Sequence, residues 1–122
     1  MDGGKVLKNE FLLSAIFGLA VASAAAESVD FSRDIRPILS GKCFACHGPD
    51  AEARKADLRL DLRENAIEFG TIIPGDPDRS YLMERIITDD PHDRMPPKGD
   101  PLSPEEIATF RKWIEDGANY EE

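Results

Sequence analysis

The stretch Cys43-Phe44-Ala45-Cys46-His47 constrains this chain more than any other. Two cysteines separated by two residues, with a histidine immediately after, form the attachment signature for c-type haem. The spacing has a chemical reason. Each thiol adds to one of two vinyl groups on a porphyrin edge, and the histidine beside the second thioether then lies under the ring. There its imidazole nitrogen can reach the iron as proximal ligand. The chain has two cysteines in all, so no thiol remains for a disulfide. Two other uses of a C-x-x-C pair stand beside this one. A thioredoxin-like dithiol needs a βαβ setting. A structural zinc site needs four ligands, and beyond the cysteines only His47 and His92 are at hand, with Cys46 and His47 adjacent and awkward on one ion.

The amino terminus speaks to location. Lys5 and Lys8 precede an apolar run from Phe11 to Ala22, and Ala24-Ala25-Ala26 follows as a small-residue cleavage site. This is the layout of a secretory signal peptide over residues 1–26, cut after Ala26. The run is shorter than the roughly 20 residues a membrane helix needs, so no span is expected after cleavage; the competing outcome is an uncleaved N-terminal anchor. Export to the periplasm suits the motif, because bacteria ligate haem to C-x-x-C-H outside the cytoplasm. Cleavage leaves residues 27–122 as one small domain. Domains of that size bury a modest fraction of their surface and often need a staple. A covalent haem would be one, and the apoprotein should fold poorly.

The formal net charge is −9, and none of it comes from residues 1–26, where Lys5 and Lys8 balance Asp2 and Glu10. Such acidity repels nucleic acid and anionic membrane surfaces and would steer the domain toward basic redox partner proteins, unless it serves solubility alone.

Apolar periodicity predicts short helices. Phe31, Ile35, Ile38 and Leu39 form a stripe on a first helix, started by Asp30 or Ser32, kinked or divided by Pro37 and ended by Ser40-Gly41. Leu58, Leu60 and Leu62 alternate with charged residues as an extended segment with one face on the core, lining an edge of the haem pocket. Asp61-x-x-Glu64 predicts a capping box for a helix to Phe69, stopped by Gly70. Pro74-Gly75-Asp76-Pro77 is a turn, with Asp76 capping a helix to about Thr88 whose apolar side is Tyr81, Leu82 and Ile86, flanked by Met83 and Ile87. Ser103, Pro104 and Glu106 predict the start of a last helix, with Leu102 and Ile107 as a hydrophobic staple. Ile107, Phe110, Trp113 and Ile114 form its inward stripe, Gly117 stops it, and the stripe should cross the first helix near the haem edge.

Between these helices, Pro91, Pro96, Pro97 and Pro101 stiffen a loop from Asp89 to Pro101. Met95 precedes Pro96 and is therefore pushed to an extended backbone, out of any helix. Its thioether is the expected distal ligand, soft and neutral. His92 or an open site is the alternative. Met83 is expected as core filler.

Taken in order, Phe31-Ser-Arg-Asp-Ile-Arg-Pro-Ile-Leu39, Cys43-Phe-Ala-Cys-His-Gly48, Leu58-Arg-Leu-Asp61, Pro74-Gly-Asp-Pro77 with Ser80, Arg94-Met-Pro-Pro97 and Leu102-Ser-Pro-Glu-Glu-Ile107 leading to Trp113-Ile114 and Gly117-Ala118 resemble the planctomycete-type cytochrome c domain. The resemblance implies an all-α, class I cytochrome c-like fold around one covalent haem c. It implies attachment through Cys43 and Cys46, with His47 and Met95 on the iron, and an electron carrier with no catalytic residues. A haem domain with an open or displaceable distal site, as an enzyme module or gas sensor, is the alternative. In that family the domain often opens a larger protein, so a stand-alone carrier and a fragment both remain open. Asp57 stands where glycine is expected before Leu58-Arg-Leu.

Overall fold

The computed structural model describes residues 28–121, and the expected signal peptide, residues 1–26, lies outside them. Asp30 opens the first helical segment. Its Oδ1 accepts from the Arg33 N–H at 2.8 Å, and Asp34 Oδ2 accepts from the Asp30 N–H at 2.9 Å. Two donors that a helix start leaves orphaned are thereby satisfied. Phe31–Ile35 wind as a π-helical turn that runs directly into α1, Arg36–Lys42. Pro37 accounts for the change of pitch. It has no N–H to offer and is tolerated only in a helix's first turn, so the Arg36 N–H reaches back to the Phe31 carbonyl and a new helix begins. Phe31, Ile35 and Leu39 are buried. The helix passes the expected stop at Ser40-Gly41, because the Cys43 and Phe44 N–H groups both donate to the Leu39 carbonyl at 2.8 Å.

α2, Arg63–Glu68, forms without the expected capping box. Asp61 is occupied instead by the Arg59 guanidinium, which grips it with two hydrogen bonds of 3.1 and 2.6 Å. A bidentate, charge-assisted pair outcompetes a cap for the same carboxylate. The extended leucine face ends early as well: Leu60 is buried, but Leu62 is 44 % exposed because the chain turns there into α2.

The helix expected from Pro77 is divided. Pro77–Arg79 make one 3₁₀ turn, and α3 is Tyr81–Ile87. Ser80 makes the break. It is buried with an extended backbone, its Oγ accepting from the Ile73 N–H at 2.8 Å and donating to the Asp76 carbonyl at 2.9 Å. Asp76 makes no side-chain cap. The shift in start leaves Leu82, Met83 and Ile86 inward and turns Tyr81 and Ile87 outward.

α4, Pro104–Glu115, matches its expected start. Ser103 Oγ accepts from the Glu106 N–H at 3.1 Å, and Glu106 Oε1 accepts from the Ser103 N–H at 2.8 Å. Phe110, Trp113 and Ile114 are buried. The carboxyl end of α4 is where distant segments converge. The Gly75 N–H donates to the Ile114 carbonyl at 2.7 Å, and Arg63 donates to the carbonyls of Ala118 and Gly117 at 2.8 and 3.0 Å. Phe31 stacks on Tyr120 at 4.6 Å and tilts against Trp113 at 5.8 Å, so the last helix crosses the first segment at its π turn. Among the described residues there is no strand, and the class is all-α. None of these helices is long and apolar enough to cross a membrane.

The loop before Leu58 explains the missing glycine. Ala56 and Asp57 both have a left-handed backbone, with φ of 57° and 58°, a conformation that disfavours a Cβ. Asp57→Gly should therefore raise stability by about 0.5–1 kcal/mol in denaturant unfolding, the relief of backbone strain outweighing glycine's greater entropy when unfolded. A second expectation concerns acid. The Arg33 guanidinium, with help from the Asp30 N–H, holds the Asp34 carboxyl down at about 2. A depressed carboxylate contributes stability at neutral pH that is lost as pH falls from about 4 toward 2. Melting temperatures of Asp34→Asn should fall less steeply than wild type across that window.

Candidate functional site

A cavity of about 810 Å³ opens between the turn after α1 and the segment from α3 to α4, with mostly apolar walls. That volume lies in the range of cofactor sites. One wall is the cysteine motif itself. Cys43 follows directly on α1, and the Cys46 and His47 N–H groups both donate back to the Cys43 carbonyl at 3.2 and 2.9 Å. This single tight turn sets Cys43, Cys46 and His47 on one face of the cavity. The following loop then folds over the motif: the Lys55 N–H donates to the Cys46 carbonyl at 2.7 Å, and the Leu60 N–H to the His47 carbonyl at 2.8 Å. Gly48 makes the turn possible. It is buried, and a Cβ there would run into the Phe44 carbonyl oxygen.

The other wall carries Leu82 and Ile86 of α3, then Met95 with Pro96 and Pro97. The Met95 N–H donates to the Arg85 carbonyl at 2.9 Å. Arg85 also reaches the same loop with its side chain, donating to the Asp93 carbonyl at 3.2 Å and pairing with the Asp93 carboxylate at 3.5 Å. The loop is thus hung from the last turn of α3. Cys43, Cys46, His47 and Met95 all face one cavity. His92 is elsewhere, its side chain 91 % exposed beside Asp90. Met83 is buried in the core and forms no part of this wall.

Burial sets the chemistry of the donors. It lowers the pKa of His47, with the carbonyls of Lys55 and Leu58 pulling weakly the other way. The ring is therefore held neutral, the form in which imidazole binds a metal. Its Nδ1 is buried without a hydrogen-bond partner. Burial also pushes the Cys43 thiol up to about 11, against the pull of Lys42. Reactive dithiols depend on the opposite shift, and the described residues contain no strand for a βαβ unit. Nor do they contain a group of three or more His, Cys, Asp or Glu placed to hold a metal ion among themselves. Two thiols, a neutral imidazole and a thioether around an apolar cavity fit a covalently attached iron porphyrin.

Several wall residues left no signal in the sequence. Arg85 acts on Met95 through a main-chain carbonyl, which residue type does not advertise. Phe69, at the end of the expected second helix, and Tyr81, expected on the apolar side of the third, stand at the cavity lip 43 % and 57 % exposed. Leu58 and Leu60 line the cavity as expected, whereas Leu62 does not.

Residues 43–99 match the family described as Planctomycete cytochrome C. No curated protein and no solved structure matches the chain. Gly48→Ala should destabilise the domain by about 1–3 kcal/mol, as overpacking against fixed backbone does. Denaturant unfolding of the purified protein measures it.

Proposed function

We propose, from the match of residues 43–99 to the family described as Planctomycete cytochrome C, that this chain is a mono-haem electron carrier. In this proposal Cys43 and Cys46 hold one haem c covalently, His47 is the proximal ligand and Met95 the distal one. The observation that carries it is the convergence of these four side chains on one apolar cavity while His92 stays in solvent. When bound, the haem supplies an iron that changes oxidation state by one electron.

The rest falls to the protein. The two thiols fix position, and buried His47 offers a neutral nitrogen. Met95 offers a neutral sulfur, which favours a higher reduction potential than a second imidazole would. Leu58, Leu60, Leu82 and Ile86 keep water from the walls. The tie from Arg85 and the prolines after Met95 hold the distal loop in place, so that little rearrangement accompanies a change of charge. Were His47 and Met95 both to hold the iron, no coordination position would be left for substrate, which favours a carrier over an enzyme. The order of parts, a first helix, the motif, a methionine loop and a last helix crossing the first segment, supports a class I cytochrome c-like fold. The secretory layout of residues 1–26 supports export to the periplasm and a domain over residues 27–122.

Visible and near-infrared spectra of oxidised and reduced protein, matured in cells able to attach haem, test the ligand set. Met95→Ala should open the distal site, lower the potential and admit carbon monoxide to the reduced protein. Met83→Ala should leave the spectrum alone and lower stability by about 2–5 kcal/mol. Equal spectral changes in both variants, or rapid stoichiometric carbon monoxide binding by wild type at neutral pH, would overturn His/Met ligation in favour of an open or displaceable site.

A further inference from the structure

The segment that folds over His47 is held from two directions. Residues 55–60 are tied to the cysteine motif at both ends, the Lys55 N–H donating to the Cys46 carbonyl at 2.7 Å and the Leu60 N–H to the His47 carbonyl at 2.8 Å. Between those ties the Lys55 and Leu58 carbonyls act on the His47 ring, whose Nδ1 is buried. The middle of this strap has little packing of its own. Lys55, Ala56 and Asp57 are exposed, and the last two have a left-handed backbone. Its far end is anchored by a residue sixty positions away in sequence: Tyr120 Oη donates to the Leu60 carbonyl at 2.8 Å. The Leu60 main chain is thus bonded on both sides, its N–H to His47 and its carbonyl to Tyr120. Tyr120 is fixed independently of the strap. Its ring stacks on Phe31 at 4.6 Å and lies 5.3 Å from Trp113. The chain before it is tied by the Trp113 Nε1–H, which donates to the Asn119 carbonyl at 2.8 Å, and by Arg63, which donates to the Ala118 and Gly117 carbonyls. Burial pushes the phenol above the ordinary tyrosine range, so it stays a donor.

We propose that Tyr120 is a positioning residue for His47, its hydroxyl acting through the Leu60 main chain to hold residues 55–60 against the imidazole. The proposal rests on the haem reading above, under which His47 gives one ring nitrogen to iron and keeps its remaining proton on the other. The orientation and basicity of a metal-bound imidazole depend on what that second nitrogen meets, and main-chain carbonyls are common partners. Here the carbonyls belong to a strap with few contacts between its ends. The Arg59 N–H, bonded to Asn65 Oδ1 at 2.7 Å, ties the strap to α2 and not to the motif. Removing the Tyr120 hydroxyl leaves the Leu60 carbonyl without that partner and loosens the end that is bonded to His47. Tyr120 itself forms no part of the cavity wall. Its effect on the imidazole therefore travels through the main chain alone.

The test uses haem-loaded protein and Tyr120→Phe, which keeps the ring against Phe31 and removes the hydroxyl alone. In native-state hydrogen exchange the Leu60 amide should quicken about tenfold relative to the Phe110 amide in α4, the equivalent of one lost hydrogen bond felt locally. Electron paramagnetic resonance of the oxidised protein reports how the imidazole is turned at the iron, and its g values should shift and broaden. Arg63→Gln removes two hydrogen bonds from the same tail but leaves the Leu60 carbonyl bonded, and it should leave the g values where they are. Equal quickening of the Leu60 and Phe110 amides, unchanged g values in Tyr120→Phe, or the same g shift in Arg63→Gln would each overturn the assignment, since each reduces Tyr120 to a general contributor to stability. Should Tyr120→Phe fold poorly, wild type decides. Its Tyr120 hydroxyl proton should exchange slowly enough to be resolved by nuclear magnetic resonance and show cross-relaxation to Leu60, and a freely exchanging hydroxyl would overturn the tie. Haem staining on a denaturing gel separates the two levels: an unstained protein refutes the haem reading and the role toward His47 with it, and a stained protein with unchanged g values in Tyr120→Phe refutes the role of Tyr120 alone.

Discussion

Among the described residues, four helices of six to twelve residues stand around a cavity of about 810 Å³, and the apolar packing beside that cavity organises the rest. Phe31, Leu60, Leu82, Ile86, Phe110 and Trp113 belong to one buried apolar core. Phe31, Phe110, Trp113 and Tyr120 pack on one another where α4 crosses the π turn. Leu58, Leu60, Leu82 and Ile86 also face the cavity, and Leu60, Leu82 and Ile86 are buried in the core at the same time. A domain this small has little surplus burial with which to leave such a face open. Under the proposed attachment of haem to Cys43 and Cys46, these four residues and the two thiols would serve the same cofactor.

The same burial that shapes the cavity fixes its electrostatics. It favours the uncharged form of both His47 and Cys43. No Asp or Glu lines the cavity, and its charged lining residues are the cations Lys42, Lys55, Arg85 and Lys98.

How much of this could be read in the sequence depended on how far apart the cooperating residues lie. The start of α4 was legible because Ser103, Pro104 and Glu106 settle it within one turn, and Cys43, Cys46 and His47 are legible for the same reason. Met95 could be ranked above Met83 and His92 because the proline after it limits its backbone, and the structure brings it to the cavity wall while burying Met83 and exposing His92. Asp61 was misjudged because a competitor, Arg59, sits two residues away and binds it with better geometry than a backbone N–H. Ser80 was passed over because its partners, Ile73 and Asp76, belong to a preceding turn. That Lys42, Lys55 and Lys98 line the cavity was hidden by arithmetic, since a sum of charges says nothing about where lysines fall.

The two walls of the cavity also differ in when they come into being. The cysteine turn, Gly48 and the loop returning to Leu60 are tied by hydrogen bonds spanning at most thirteen residues, from His47 to Leu60 within that stretch. The facing wall waits for α3, Met95 and Leu102, a further forty residues along the chain. A polypeptide delivered amino end first thus offers its two thiols as a nearly self-contained strap, with the opposite side still to arrive. Under the proposed attachment through Cys43 and Cys46, a rigid plane joined to such a strap would need no door opened afterwards, because the later half of the chain would close around something already held.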